Sequence, residues 1–502
     1  MPRRRRALKT LFEIELQPSP EGSRDAARNL HRQLHDAIRD GRLPAGARLP
    51  PTREAQAYFG VSRNTAAEVY ERLTNDGLIA ARGGSGTFVR ATTPPAPIRR
   101  SARRTVAAQR VNPFWLRDDV QSAMGFWRDS ATAPSTRATR SVDLRPALVD
   151  SRLFPYDVFR RVATKQLRAL ERKPASFKSP QGNQGNFHLR TAITQHIALT
   201  RAVVCTPDDV LVTSGAQQAF DLLARVLVVP GETVVAVEDP GYPPMRVAFA
   251  AAGAKLVPVG VDAEGLLVDA IPREARVICL CPSHQFPLGV TTSARRRAAL
   301  LEFARRNDAV IVEDDYDGEF RYEANPLTAL RTPEAADVVF YVGTFSKCML
   351  PMLRLGFLVA PDWALPALIA AKNCLDWHTA TPVQLSVAGF IAEGHLARHV
   401  RRMRGVYAQR RELLLSLLDE QLAPWLEPVA SGYGMHIGAL ARRPLDLEQV
   451  TRALARRQIQ LHTLSRYYLG AQTRAGLIFG YGAVGLAEIR QGLSALRDAL
   501  RG

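Results

Sequence analysis

The sequence predicts two folded units: a small helix-rich head ending in a hairpin, and a large α/β domain built on a mostly parallel sheet. Three observations carry this. The length of 502 residues exceeds the roughly 250 to 300 at which a single core stops growing. From about Ser141 onward, short β-branched runs alternate with helix-length amphipathic stretches. Between head and domain, residues 91–140 are rich in Pro, Ala, Ser, Thr and Arg. Such a stretch buries too little apolar surface to offset its ordering entropy and reads as a linker, with Phe114, Trp115, Phe126 and Trp127 expected to dock pieces of it. The expected boundaries are 12–90 for the head, 91–140 for the linker and 141–502 for the α/β domain, whose last hundred residues read as a smaller α+β subdomain.

The head divides into three helices and a hairpin. From Arg24 to Asp40 the apolar residues Leu30, Leu34, Ala37 and Ile38 form one helical stripe, closed by Gly41 at the C′ position. Thr52 can cap a second helix ending at Gly60. Ser62 can cap a third, whose inward face is Ala66, Val69, Tyr70 and Leu73 and whose end is Gly77. Leu78 to Val89 has apolar ends around Arg82-Gly83-Gly84-Ser85-Gly86, a hairpin turn.

The turn Phe59-Gly60-Val61-Ser62 gives the second and third helices helix-turn-helix spacing. The third opens on Arg63, Asn64 and Thr65, the end of a recognition helix that meets base edges. Arg63 can present a bidentate fork to guanine, and Arg53 is placed for a phosphate or base contact. Glycines at the hairpin tip, Gly84 and Gly86, let backbone approach a phosphate or the minor groove. The whole segment LPPTREAQAYFGVSRNTAAEVYERLTNDGLIAARGGSGTFV resembles the winged helix-turn-helix of GntR-type bacterial regulators. That resemblance implies a double-stranded DNA operator as partner, met by Arg53, Ser62, Arg63, Asn64, Thr65, Gly84 and Gly86.

Composition agrees with this and narrows the class. A formal charge of +19 suits a polyanionic partner, although an Arg-rich surface alone produces the same balance. Hydrophobic residues at 46% and charged residues at 23% exclude a disordered or fibrous chain. No apolar run of about 18 residues exists to span a membrane, and no secretory segment follows Arg3 to Arg6. Five cysteines without CxxC spacing read as reduced thiols of a cytoplasmic protein rather than a zinc site.

In the α/β domain the expected strands are Val210–Thr213, Thr233–Val237, Val277–Leu280, Ala309–Val312 and Val338–Val342. Lys347, in Thr344-Phe-Ser-Lys347, follows the last of these, where ligands sit in open α/β sheets. Asp314 stands at a second strand end, followed closely by Tyr316. Thr213-Ser-Gly-Ala-Gln-Gln218 joins a strand to a helix expected over Gln217 to Val228, whose N-terminal amides can hold a phosphate. Tyr242 ends another strand. A lysine for an imine, an acid for a pyridine N–H, a tyrosine for a 3′ oxygen, a phosphate cup and a stacking aromatic are the parts of a pyridoxal 5′-phosphate site. Asp314 and Asp317 also raise a metal site, but no nearby His or Cys completes one in sequence, so no metal is expected.

The blocks TSGAQQAF, EDPGYP, CPSHQFPLG, VEDDYDGEFRY and GTFSKCMLPMLRLGFLV resemble, in order and spacing, the fold-type-I aminotransferase domain of MocR-type transcription regulators. The resemblance assigns Lys347 to the Schiff base, Asp314 to the pyridine nitrogen, Tyr316 to the 3′ oxygen and Tyr242 to stacking. It sets Ser214, Gly215, Ala216, Ser346 and Arg354 around the phosphate, with Arg354 also able to face the effector. Arg474 falls where such domains hold a ligand carboxylate. Two departures touch the expected ligand: Asp143 to Asp150 lacks the usual glycine, and Leu288 stands before Gly289 where Thr or Ser is commoner.

The function so implied is a cytoplasmic, DNA-binding regulator that senses an amine or amino-acid effector, or pyridoxal phosphate itself. It is expected to be a homodimer, with the head of one chain against the cofactor domain of the other. A working aminotransferase with an accessory head is the alternative, and a retained but empty cofactor fold is a third.

Overall fold

The computed structural model describes residues 25–83, 85–91, 111–126, 141–172, 182–322 and 328–501. By contacts the chain divides into residues 1–111 and 112–502. Among the described residues no helix is long and apolar enough to cross a membrane.

In the first unit, α1 (Ala26–Arg39) buries Leu30, Leu34, Ala37 and Ile38 and ends at Asp40, with Gly41 beyond it at φ +77°. The second helix is shorter than its periodicity suggests. Residues Thr52–Glu54 form a 3-10 turn, begun by the Glu54 N–H donating to the Pro51 carbonyl, before α2 (Ala55–Phe59). In α3 (Arg63–Asn75) Ala66, Val69, Tyr70 and Leu73 are buried, and the Ser62 hydroxyl accepts the Thr65 N–H at 3.1 Å, removing one orphan donor of the first turn. The Tyr70 hydroxyl donates to the Pro50 carbonyl at 2.7 Å and ties α3 to the segment before α2. Strands β2 (Ile79–Arg82) and β3 (Gly86–Val89) form the hairpin. A third strand, β1 (Arg48–Leu49), pairs antiparallel with β3; at two residues it is too short to show alternation in sequence.

The second unit is centred on an eight-stranded sheet of β5 (Val210–Thr213), β6 (Val234–Asp239), β7 (Lys255–Asp262), β8 (Gly265–Leu266), β9 (Ala275–Leu280), β10 (Val310–Asp315), β11 (Val339–Thr344) and β12 (Gly356–Val359). Their spatial order is β5-β12-β11-β10-β9-β6-β7-β8. The neighbours β11-β10-β9-β6-β7 are parallel, and β12 runs antiparallel between β11 and β5. Strands β5, β6, β9, β10 and β11 therefore point their carboxyl ends to one edge. Three strands, β7, β8 and β12, were not among those expected; Pro258 stands within the apolar run of the first, the second is only two residues long and the third only four.

A second, four-stranded antiparallel sheet joins β13 (Leu426–Pro428), β14 (His436–Ala441), β16 (His462–Thr463) and β17 (Gly476–Gly480) in the order β13-β14-β17-β16. It forms the expected smaller C-terminal part. The parallel pairing of β4 (Val142–Asp143) with β15 (Ile459–Gln460) ties the start of the unit to that part.

Part of the stretch read as linker is structured. Residues Pro113–Leu116 form a 3-10 turn and α4 (Asp118–Met124) a short helix, both within the second unit. Phe126 is 2% exposed and meets the rings of His462 at 5.2 Å, Tyr467 at 5.4 Å and Tyr242 at 6.2 Å. Trp115, by contrast, is 44% exposed, and Trp127 lies outside the described residues.

Candidate functional site

Alternation along β10 selects one carboxylate from three. Glu313 and Asp315 share a face, as residues two apart on a strand do. Glu313 accepts the backbone N–H of Leu330 at 2.9 Å, while Asp315 pairs with Arg201 at 2.5 Å and accepts the Tyr341 hydroxyl at 2.5 Å. Asp314 points the other way, into a cavity of about 590 Å³ at the strand ends. Its Oδ2 lies 3.8 Å from the Cys281 thiol, and its buried Oδ1 has no hydrogen-bond partner among the described residues. Burial, then the neighbouring Asp315 charge, raises its pKa to about 8.

The same cavity is lined by Lys347, Tyr316, Tyr242, Ala216, Ser346 and Arg354. Lys347 follows β11, and its amine donates to the Ala147 carbonyl at 2.6 Å. Burial lowers its pKa to about 8, against the raising effect of Asp317 and Asp314. Tyr242 stands at the N-cap of α6 (Pro243–Ala251), its ring edge-on to Phe286 at 5.5 Å. The expected helix after β5 is present as α5 (Ala216–Leu227). Gly215 precedes it at φ +85°, and a Cβ there would lie 3.0 Å from Arg354 Nη2. Arg354 donates to the Ser214 carbonyl at 3.2 Å, while the Thr344 hydroxyl bonds Ser346 at 3.0 Å.

Three expected residues, Ser214, Gly215 and Arg474, are not part of this lining. The Ser214 N–H is spent on Gln218 Oε1 at 2.7 Å and its hydroxyl lies 3.5 Å from Asp376. Arg474 is exposed and donates to the Val261 carbonyl at 2.7 Å. Leu288 is buried in an aromatic-rich cluster with Phe286, Tyr316 and Tyr467, outside the cavity lining.

Other wall residues were not anticipated. Ala147 stands in the glycine-poor segment and takes φ +59°, the left-handed region in which glycine is usual. Met124, from the stretch read as linker, lines the cavity too. The expectation that no His or Cys stands near Asp314 or Asp317 is corrected: Cys281 meets Asp314, and His284 Nδ1 lies 3.0 Å from Asp317 Oδ2. These partners come from the end of β9 and the loop after it, about thirty residues earlier, brought alongside by parallel pairing of β9 with β10. His436, on β14, joins them; ligand-type atoms of His284, Asp317 and His436 lie within 4.8 Å of one another.

In the first unit, Arg63 and Asn64 are exposed at the start of α3, and Thr65 is half-buried beside Ser62. Arg53 is exposed, 3.5 Å from Glu54. Gly84 lies outside the described residues. Gly86 has φ +117°, and a Cβ on it would lie 2.8 Å from Arg48 Nε. Arg48 thus flanks the hairpin, as does Arg82 through its contact with the Phe88 ring at 5.1 Å. Neither cation was singled out in sequence, since each shows only as one more arginine in a basic chain.

Residues 26–89 match the bacterial regulatory proteins of the gntR family, and residues 151–463 match aminotransferase class I and II. A probable rhizopine catabolism regulatory protein, MocR, of Rhizobium meliloti is 34% identical over 95% of this chain and 94% of its own length. The pyridoxine biosynthesis regulator PdxR of Corynebacterium glutamicum is 29% identical over 98% of this chain and 99% of its own. Among solved structures, the kynurenine aminotransferase of Pyrococcus horikoshii superposes with a TM-score of 0.65 at 26% identity, covering 72% of this chain and 91% of that one.

Proposed function

The chain belongs to the aminotransferase class I and II family and, over nearly its full length, to the MocR-type regulators of the gntR family, and from that premise we propose that its large unit holds pyridoxal phosphate and reads an amine-bearing effector there. The protein is a DNA-binding transcription regulator. An aminotransferase with an accessory head is the less supported reading, because the regulators match head and domain together.

The observation that carries the cofactor is that one cavity is lined both by a half-buried lysine and by a carboxylate whose buried oxygen has no partner among the described residues. Asp314 Oδ1 is suited to a pyridine N–H, whose positive charge would also favour the ionised carboxylate. The bare backbone of Gly215, with the amino end of α5 and the Arg354 guanidinium beside it, suits a phosphate. Ala216 and Ser346 complete that cup, and Ser214 would join it only by releasing Gln218 and Asp376. Tyr316 serves the 3′ oxygen and Tyr242 the ring face. When bound, the cofactor supplies an aldehyde with which primary amines condense reversibly. Lys347, its pKa lowered by burial to about 8, keeps part of its population as the neutral amine that condensation needs.

An effector can move the heads only through different affinities for two conformations, a coupling typically of ~1 to 3 kcal/mol. Arg474 would meet an effector carboxylate only by leaving Val261, so it belongs to the effector-bound arrangement.

Purified protein incubated with pyridoxal phosphate should absorb in the visible. Borohydride should then fix the cofactor on Lys347, and Lys347→Ala should abolish the adduct. Mass spectrometry placing the adduct on another lysine would overturn the assignment.

A further inference from the structure

Beside the cavity lie three buried side chains that the proposed function leaves idle: His284, Asp317 and His436. His284 Nδ1 lies 3.0 Å from Asp317 Oδ2 and 2.8 Å from the Tyr316 hydroxyl. That hydroxyl also lies 3.0 Å from the His284 carbonyl oxygen. A neutral ring nitrogen carries either a proton or a lone pair, so Nδ1 must choose between donating and accepting. Asp317 Oδ2 also accepts the Met435 N–H at 3.2 Å, as a carboxylate surrounded by donors would. The other tautomer would put the proton on Nε2, which is buried and has no partner among the described residues. A buried N–H with no acceptor is costly. The proton therefore sits on Nδ1.

His436 is held in the same manner. Its Nε2 lies 3.0 Å from the Pro287 carbonyl, so that nitrogen donates, and its ring centroid is 4.4 Å from that of His284. Burial keeps His436 neutral. A Cβ on Gly434 would lie 1.9 Å from His284 Cε1, so the backbone there clamps the His284 ring in place.

We infer that His284 is a positioning residue for Tyr316: Asp317 keeps the histidine proton on Nδ1, so that nitrogen cannot accept the tyrosine proton, which is left to the His284 carbonyl or to a ligand in the cavity. The inference rests on the cofactor reading, because the group that would receive the tyrosine proton is the 3′ oxygen assigned to Tyr316. Charged and titratable neighbours at these strand ends are Asp314, Asp317, Glu238, Cys281, Lys347 and His436.

Two measurements on the full-length protein test it. Nitrogen NMR of ring-labelled histidine in cofactor-free protein, with the His284 signal identified by its loss in His284→Gln, should show Nδ1 protonated. Asp317→Asn should raise the share of the Nε2–H form, because an amide oxygen holds the Nδ1 proton less strongly than a carboxylate and the amide can turn its own N–H to Nδ1. In protein reconstituted with pyridoxal phosphate, the pH midpoint of the visible colour change should rise by about one unit in Asp317→Asn. That is the scale on which losing a hydrogen bond to an ionised group changes proton affinity. Tyr316→Phe should raise it comparably, and the double variant should add little. An Nε2–H tautomer in the unaltered protein would overturn the inference. So would a midpoint moved by Tyr316→Phe but not by Asp317→Asn, or one equivalent of zinc retained after dialysis, which would make the trio a ligand set. If borohydride traps nothing on Lys347, the cofactor reading has failed instead, and the tautomer in cofactor-free protein alone decides the role of Asp317.

Discussion

Burial resists charge on Asp314, and this has a thermodynamic signature apart from any ligand. Its folded pKa of about 8 exceeds the unfolded value of roughly 3.9. Between those values the folded state binds more protons than the unfolded one, so stability falls as pH rises through that window. Glu238, raised to about 8 by burial, and Glu313, raised to about 7 by burial and then Asp315, act with the same sign. The buried His399 and His462, lowered to about 4 and about 3, act with the opposite sign up to roughly pH 6.5, so the melting temperature of cofactor-free protein should decline from there to about pH 8, with Asp314→Asn flattening part of the decline. A Tm that rises across the window would contradict this. Ala147 offers a second test. At φ +59° its side chain is strained, whereas its carbonyl, the acceptor for Lys347, belongs to the backbone. Ala147→Gly should raise the unfolding free energy by up to ~1 kcal/mol in a denaturant titration while keeping that hydrogen bond. A destabilised variant would mean that the methyl group packs more favourably than the strain costs.

At the scale of elements, periodicity and turn residues located the helices and strands they singled out to within about three residues, because those signals are local. The five anticipated strands correspond to β5, β6, β9, β10 and β11. What escaped were elements whose stability comes from neighbours: β1, inserted beside the hairpin, β12, inserted between β5 and β11, and α4. Phe126 stands out in a polar stretch as an aromatic needing a site, yet nothing nearby in the chain says that its site is the ring cluster behind Tyr242. Phe126→Ala should undock α4 locally, since losing a buried phenylalanine costs about 3 to 5 kcal/mol. Hydrogen exchange at residues 118–124 should then accelerate well before the sheet loses protection. Unchanged exchange there would show α4 held by Val120 and its own helix contacts alone.

At the scale of the molecule, the predictions concern assembly and DNA. A homodimer is expected, with each head reaching the partner's large unit. Because residues 113–124 are folded in the large unit, only residues 92–112 are left between it and the head, and about 20 residues, if flexible, would have an r.m.s. reach of roughly 22 to 27 Å. Sedimentation showing only monomers at micromolar concentration would rule the dimer out. On DNA, Arg63→Ala should cost ~1 to 3 kcal/mol at the operator and much less on random duplex, because a base contact has no counterpart in non-specific binding. Equal losses on both, with the salt slope lowered by about one, would make Arg63 a phosphate anchor. Arg48 and Arg82, beside the hairpin, are expected to behave in that second way. The sequence by itself determined the two-unit organisation, the order of elements, the family and the residue types needed for each task, because block order, capping residues and hydrophobic period all lie along the chain. Only the tertiary structure decided that Asp314 rather than Glu313 or Asp315 faces the cavity, that His284 meets Asp317 and Tyr316, that Met124 lines the wall and that Arg474 stands outside it. Those facts depend on which strand ends become neighbours in the sheet and on which face of each strand is turned to the cavity. Local spacing carries no record of either.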